Sequence, residues 1–235
     1  GVQTCALPIY LLLDQNLGRK AADYDGLVPE TCSRLIGPQF ALLRPEFAAM
    51  RDYSLARRAT PALKRLLISM GGVDRHNATG EILEALVKCS LPDGCRIVIV
   101  MGQHAPWLAS VRQLAEKLPW RTELLVNMAD MASLMAESDL AIGGAGATAW
   151  ERCCLGLPSI VVVLADNQRS GAAALQQCRA ASVLMERELI TSELPALISR
   201  IAESGNLQSM HAAGSRVCDG DGVGRVINRL AACDD

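Results

Sequence analysis

The sequence has few aromatic residues, almost no net charge and no long apolar run. Three Trp, three Tyr and two Phe among 235 residues argue against a platform for stacking single-stranded bases. The chain has 23 basic and 25 acidic residues, so no surplus of positive charge exists to neutralise a nucleic-acid backbone. We therefore expect no nucleic-acid partner. No apolar run approaches the roughly 18 residues that span a bilayer, so we expect no membrane partner either.

Patterns for metal binding and for nucleophilic catalysis are also missing. The nine cysteines are odd in number and contain no C-x-x-C pair, which argues against a disulfide framework and against zinc. We interpret them as small apolar thiols in a reducing cytoplasm and expect no metal and no cofactor. The three histidines, His76, His104 and His211, form neither a metal-ligand nor a triad pattern. His76 lies in a glycine-rich loop, where it is either a phosphate contact or an ordinary loop residue.

The distribution of aromatic residues indicates two structural units. Five of the eight lie in the first 53 residues, and only three Trp follow. Residues 1–9 lack an initiator Met and match, codon by codon, the translation of a common sequencing-adapter strand. We therefore predict an adapter translation over 1–9, the remnant of an N-terminal domain with a linker over 10–58, and one larger domain over 59–235.

From residue 66 onward, short apolar runs alternate with segments of helical periodicity. The runs are continuous rather than alternating, as expected for strands that are covered on both faces. This order predicts an α/β fold with a Rossmann-like parallel sheet and helices on both faces. Before residue 56 no long amphipathic period appears, which predicts an irregular connecting region. The predicted strands are 11–13, 66–70, 96–101, 123–126, 140–142, 160–164 and 182–185; the predicted helices are 77–89, 106–117, 128–135, 147–155, 168–180, 191–203 and 222–232.

Two glycine clusters follow strands of this sheet, Gly71-Gly72 within residues 69–74 and Gly143-Gly144 within residues 143–148. Ligands of such sheets bind at the carboxyl ends of the strands, and glycines let backbone N–H groups approach an anion. The clusters therefore predict a shared phosphate site, unless they only form tight β–α turns. Neither is a Walker A loop, because no Gly-Lys-Ser/Thr follows, and the dinucleotide fingerprint fits poorly.

Glu151 lies five residues after Gly146, in the predicted helix. A carboxylate at this position can accept hydrogen bonds from both hydroxyls of a ribose. It can equally be a solvated or arginine-paired helix residue.

The run SDLAIGGAGATAWERCCLGLPS over 138–159, followed by ADNQ over 165–168, resembles one family. This is the UDP-2,4-diacetamido-2,4,6-trideoxy-β-L-altropyranose hydrolase family of pseudaminic acid biosynthesis (PseG type). Further matching segments are LLLDQNLG at 11–18, GPQFALLRPEF at 37–47, GGVD at 71–74 with Asn77, and Asp219-Gly220 with Gly222 and Arg225. The family is related to the MurG-type glycosyltransferases, so the resemblance implies the C-terminal half of a GT-B fold.

The resemblance also implies roles for individual residues. Glu151 would hold the ribose of UDP, and the backbone near Met128 would contact the uracil edge. Asn167 and Gln168 would face the sugar or the phosphate. The diphosphate would lie on the two loops. Substrate-binding residues predicted from these loops and their motif are Gly71, Gly72, Asp74, Asn77, Gly144, Ala145, Gly146 and Thr148.

The implied reaction is hydrolysis of a UDP-linked sugar, in which water attacks the anomeric carbon and UDP leaves. In this family the general base is a histidine in a glycine-rich loop near the N-terminus, and no histidine of this chain matches it. The catalytic residues are therefore unknown, and we expect this chain to bind UDP with little or no activity without an N-terminal domain in cis. Two alternatives stay open: a MurG-like glycosyltransferase with a UDP-sugar donor, and a non-catalytic nucleotide-sugar-binding module.

Overall fold

A computed structural model describes residues 9–203 and 205–232 of the chain. The predicted adapter translation therefore lies outside the described residues, except for Ile9. The strands are β1 (Leu11–Asp14), β2 (Ser33–Ile36), β3 (Arg65–Ser69), β4 (Arg96–Met101), β5 (Arg121–Val126), β6 (Leu140–Gly144), β7 (Ser159–Val162) and β8 (Ala181–Leu184). The α-helices are α1 (Pro45–Arg57), α2 (Ala78–Leu86), α3 (Leu108–Glu116), α4 (Met131–Ala136), α5 (Thr148–Cys154), α6 (Arg169–Gln177), α7 (Ile190–Ala202), α8 (Asn206–Gly214) and α9 (Gly222–Ala231).

Six strands form one parallel sheet in the order β5-β4-β3-β6-β7-β8. The chain moves outward from β3 to β5, returns to the other side of β3 with β6, and then continues to β8. The strand order therefore reverses between β3 and β6, which is where open α/β sheets bind their ligands. In this pair Ser69 lies opposite Gly143, so both glycine clusters begin at neighbouring strand ends.

Side chains alternate along the buried strands between two apolar cores. In β3, Leu66 and Ile68 face the core that contains α2, α3 and α7, and Leu67 faces the core that contains α4 and α5. Each fully buried leucine contributes about 1.5–3 kcal/mol to stability by leaving water. The predicted parallel sheet with helices on both faces is confirmed.

The first part of the chain is more regular than its sequence predicts. Strands β1 and β2 form a separate parallel pair, and α1 packs against α4 and α5. The prediction of an irregular connecting region is wrong here, because α1 spans 13 residues. Its apolar residues do not recur on one face; instead Phe47 anchors it in the core and Ser54 is also buried. Periodicity therefore could not reveal this helix.

The expected linker at residues 57–61 contains a buried residue, Arg58, whose side chain is hydrogen-bonded to the larger domain. Arg58 is 3% exposed, and its guanidinium donates to the carbonyl oxygens of Met135 at 2.9 Å and Ser138 at 2.6 Å. Burial lowers its pKa to about 10. Arg58 thus binds α1 to the C-terminal end of α4.

In the described part of the chain, no helix is both long enough and apolar enough to cross a membrane.

Candidate functional site

The first glycine loop connects β3 to α2 and leaves its backbone open to solvent. Gly71 has a φ of +95°, which favours glycine, and both Gly71 and Gly72 are exposed. A Cβ atom added to either would meet no atom within 4 Å. On the opposite side of the loop, the Gly72 carbonyl accepts a hydrogen bond of 3.0 Å from the Gly102 N–H. The loop is therefore anchored to the strand end beyond β4 and has free space in front of it.

Asp74 and Asn77 hold the shape of this first loop. Both have left-handed backbone conformations, with φ of 43° and 58°. The buried Asp74 carboxylate accepts from the N–H groups of Ala78 and Thr79, each at 2.9 Å. The Asn77 side chain accepts from the Gly80 N–H at 3.3 Å. These contacts cap α2, so the Asp74 carboxylate is already engaged within the protein, and a substrate contact by either side chain stays a prediction.

The second glycine loop connects β6 to α5 and contains the exposed residues 146–148. Ala147 precedes α5 and provides no side-chain cap. A Cβ atom added to Gly146 would meet no atom within 4 Å. Gly144 and Ala145 are half-buried and lead into the exposed part. The structure thus brings all predicted loop glycines to one edge of the sheet, on the two strands that flank the reversal of strand order.

A buried arginine lies beneath the second loop. Arg152, on α5, is 2% exposed and donates from Nη2 to the Gly144 carbonyl at 2.7 Å and from Nη1 to Thr148 Oγ1 at 3.2 Å. Burial lowers the pKa of its guanidinium to about 10, so the group is still a cation at neutral pH. Arg152 was not among the predicted site residues, because an arginine beside a glutamate in a helix is usually solvated. The only feature of the sequence that indicated burial of Arg152 is the apolar Cys153-Cys154 pair that follows it.

Glu151 lies half-buried on α5, close to the segment that joins β2 to α1. Burial raises the pKa of its carboxyl, and the cations of Arg44 and Arg152 only partly offset this effect. Arg44 pairs with Glu46 at 2.9 Å, and its Nη1 lies 3.5 Å from the carbonyl of Ala129, next to Met128. The structure therefore places Glu151, Arg44 and the backbone near Met128 in one neighbourhood. Arg44 is a candidate that the sequence reasoning did not single out.

A cleft of ≈ 520 Å³ separates the end of β1 from the second loop. This size is in the usual range for a small-molecule site. Asn167 and Gln168, which were predicted to contact the substrate, line it together with Gly146. The Gln168 Oε1 accepts from the Leu164 N–H at 3.0 Å, while Asn167 is exposed. The two residues predicted to face the sugar or the phosphate thus share one cleft with the second loop.

The opposite wall of the cleft carries Asp14 and Tyr24, which the sequence analysis did not propose as site residues. The Asp14 carboxylate accepts from the Tyr24 hydroxyl, from the Asn16 N–H at 2.8 Å and from Asn16 Nδ2 at 2.7 Å. Burial opposes ionisation of Asp14, but these hydrogen bonds outweigh it and lower the pKa of the carboxyl. The wall therefore presents a negative charge.

The histidines do not complete this cleft. Among the described residues that line it there is no histidine. His76 is exposed and its carbonyl accepts from Arg187 at 2.6 Å, and His211 Nδ1 lies 2.9 Å from the Gly156 carbonyl on α8's side of the fold. Within residues 9–203 and 205–232, no group of three His, Cys, Asp or Glu side chains is placed to hold a metal ion. The site offers backbone donors, one buried cation and carboxylates as its chemistry.

Comparison with known proteins gives a family and several relatives. The glycosyltransferase family 28 C-terminal domain matches residues 80–221. The spore coat polysaccharide biosynthesis protein SpsG of Bacillus subtilis is 32% identical over 193 residues, which cover 81% of this chain and 56% of SpsG. The UDP-2,4-diacetamido-2,4,6-trideoxy-beta-L-altropyranose hydrolase of Campylobacter jejuni is 31% identical over 162 residues, covering 69% of this chain and 55% of the hydrolase. The chain thus spans about half the length of these relatives.

Among solved structures, MurG of Acinetobacter baumannii matches 97% of this chain and 67% of its own, with a TM-score of 0.71 at 20% sequence identity. Identity this low establishes the fold alone. The six-stranded parallel sheet with its two helical layers is therefore the GT-B Rossmann-like C-terminal domain expected from the sequence.

Proposed function

Because the chain belongs to the family of glycosyltransferase family 28 C-terminal domains, we propose that its two glycine loops bind the diphosphate of a UDP-sugar. The observation that carries this proposal is the position of the loops, with open backbone on the neighbouring strands β3 and β6 where the strand order reverses. Exposed N–H groups of such loops are donors for phosphate oxygens. In this proposal residues 59–235 form the UDP-binding domain, and residues 10–58 belong to the N-terminal domain and linker.

The remaining predicted residues continue the site on either side of the diphosphate. Glu151 accepts from the ribose hydroxyls, and the backbone near Met128 contacts the uracil edge. Arg44 lies close enough to influence the charge of Glu151, and it keeps this end of the site from becoming purely negative. The sugar extends into the 520 Å³ cleft toward Asn167 and Gln168.

We propose that the complete protein hydrolyses a UDP-linked 2,4-diacetamido-2,4,6-trideoxy sugar. Water attacks the anomeric carbon, the bond to the phosphate oxygen breaks, and UDP leaves with an additional negative charge. Backbone donors at the loops stabilise that charge. The resemblance to the hydrolase of Campylobacter jejuni supports this assignment. The family's general base is a histidine, and no histidine is among the described residues that line the cleft, so we expect this chain alone to bind UDP and to turn over slowly or not at all.

Glu151 provides the direct test of the nucleotide site. We expect Glu151→Gln to weaken UDP binding about tenfold, because a carboxylate accepts from both ribose hydroxyls and an amide oxygen is a weaker acceptor. Titration calorimetry with UDP and with 2′-deoxy-UDP measures the effect: the wild type prefers UDP, and the variant loses that preference. Since burial raises the pKa of Glu151, UDP affinity of the wild type should fall as pH drops toward that pKa, and the variant should lack this decline.

The matched control for this experiment is Glu116→Gln, which makes the same change at an exposed position of α3. Its UDP affinity should equal that of the wild type. A chain that binds UDP with unchanged affinity after Glu151→Gln would show that the ribose lies elsewhere.

Hydrolysis and glycosyl transfer are separated by their products. The family description and the MurG-like fold favour transfer as the second candidate. We expect a version that includes the N-terminal domain to release free sugar and UDP from the UDP-sugar without any added acceptor, and the 235-residue chain to release far less. Chromatography of the products checks this: a glycoside that forms only with an acceptor would assign transfer. Turnover by the short chain near the full-length rate would show that hydrolysis does not need a histidine from the N-terminal domain.

A further inference from the structure

The guanidinium of Arg152 is a buried positive charge without a bonded carboxylate. None of the ion pairs in the described residues includes Arg152. Its partners are a carbonyl oxygen and a hydroxyl oxygen, and its Nε has no hydrogen-bond partner. Glu151, its chain neighbour, favours the charge from a distance without a direct bond.

The fold makes room for this cation between the ends of β3 and β6. A Cβ atom added to Gly143 would lie 2.5 Å from Arg152 Nη1 and 3.0 Å from the Ser69 carbonyl oxygen. Gly143 is therefore the residue that the arginine requires at this position. Because Ser69 and Gly143 pair across the two strands and each precedes its glycine loop, the guanidinium lies at the base of both loops.

Stability of the fold does not explain the arrangement. Burial of a charge without an opposite charge costs free energy, and hydrogen bonds to neutral oxygens offset only part of that cost. An apolar side chain of similar length would fill the same space without this cost in free energy. Arg58 is equally buried, but its guanidinium donates to four carbonyl oxygens, whereas Arg152 donates to only one carbonyl and one hydroxyl oxygen. An anion bound on the open surface of the two loops would supply the opposite charge that Arg152 lacks.

We propose that Arg152 is a positioning residue that supplies the fixed counter-charge for the diphosphate of the bound nucleotide. This inference rests on the proposed function. Nη2 donates to the Gly144 carbonyl, so this carbonyl oxygen is engaged by the guanidinium and is turned away from the proposed phosphate site. The cation itself attracts the diphosphate through the loop, in surroundings of lower polarity than water, where such an attraction is stronger.

The test compares ligands with and without the diphosphate. We expect Arg152→Met to weaken UDP binding at least tenfold and to leave the affinity for uridine, measured by competition, unchanged. The salt dependence of UDP binding should become shallower, because one charge of the site is gone. Arg152→Met also removes the donor to the Gly144 carbonyl, so some loss of stability is expected in urea denaturation. The selective loss of UDP affinity over uridine affinity is the readout that a merely structural role of Arg152 would not produce.

Two further variants complete the experiment. Arg152→Lys keeps the charge, so it should retain a larger preference for UDP over uridine than Arg152→Met does. If the methionine variant does not fold, the lysine variant takes its place in the comparison with the wild type. Arg112→Met, at an exposed position of α3, should change neither affinity. Equal losses for UDP and uridine, or an unchanged UDP affinity, would overturn the proposal. A wild-type chain that does not bind UDP would instead overturn the proposed function on which it rests.

Discussion

The two glycine loops have similar sequences and similar places in the sheet, but their backbones are stabilised in different ways. In the first loop, Asp74 and Asn77 cap α2 with three hydrogen bonds to its N–H groups. In the second loop, Ala147 offers no cap to α5, and support comes from Arg152 inside the helix, which binds the Gly144 carbonyl. The start of α2 is capped by side chains of its own loop, whereas the start of α5 has no side-chain cap and its loop is held from beneath by Arg152; both loops leave glycine backbone exposed.

This difference indicates that the two loops have different roles, one mainly in stability and the other mainly in binding. Capping side chains fix the first loop and contribute to stability whether or not a ligand is bound. The second loop holds a cation below and exposes backbone above, an arrangement suited to an anion from outside. Substitutions in the first loop should therefore act mainly on folding, and substitutions in the second mainly on binding.

The largest effect on stability should follow Asp74→Ala. It removes both acceptors for the Ala78 and Thr79 N–H groups at a position that is 6% exposed, and we expect a loss of about 2 kcal/mol in the free energy of unfolding. Urea denaturation measures it. Asp130→Ala is the control, since Asp130 caps the exposed start of α4 through one backbone N–H group, that of Ser133; its cost should be about 1 kcal/mol. Equal losses in the free energy of unfolding would mean that the second hydrogen bond of the Asp74 carboxylate contributes nothing to stability.

Much of this fold could be predicted from its sequence. The continuous apolar runs of β3, β4 and β6 predicted buried parallel strands, and the predicted helix end at residue 155 lies within one residue of the end of α5 at Cys154. Helix α1 could not be predicted, because its stability comes from contacts of Phe47 with residues far along the chain. Helix α8 was missed as well, since its apolar residues are few and scattered.

The site was predictable only in part, for similar reasons. Glycines before helices and after strands carry a local signal, so both loops could be found. The burial of Arg152 depends on space that Gly143 provides on a neighbouring strand, and the approach of Asp14 to the second loop joins residues more than a hundred positions apart. Such contacts exist only in the folded chain. The role proposed for Glu151 rests on the family resemblance, because its half-buried position cannot be read from spacing.

The sharpest way to test the division between the loops is Gly146→Ala. An added Cβ atom meets nothing within 4 Å and the residue does not need a left-handed backbone, so we expect an unchanged free energy of unfolding. A diphosphate on the loop would meet that methyl group, and UDP affinity should fall about tenfold, equivalent to about 1.4 kcal/mol. Calorimetry and urea denaturation of the same preparation give both values. Gly224→Ala in α9, with equally open space, is the control: it should leave UDP affinity unchanged and, because alanine favours a helix over glycine, should raise the free energy of unfolding by up to about 1 kcal/mol. Gly72→Ala extends the comparison to the first loop: a loss of affinity there as well would show that the diphosphate contacts both loops, and a loss at Gly146 alone would assign it to the loop above Arg152.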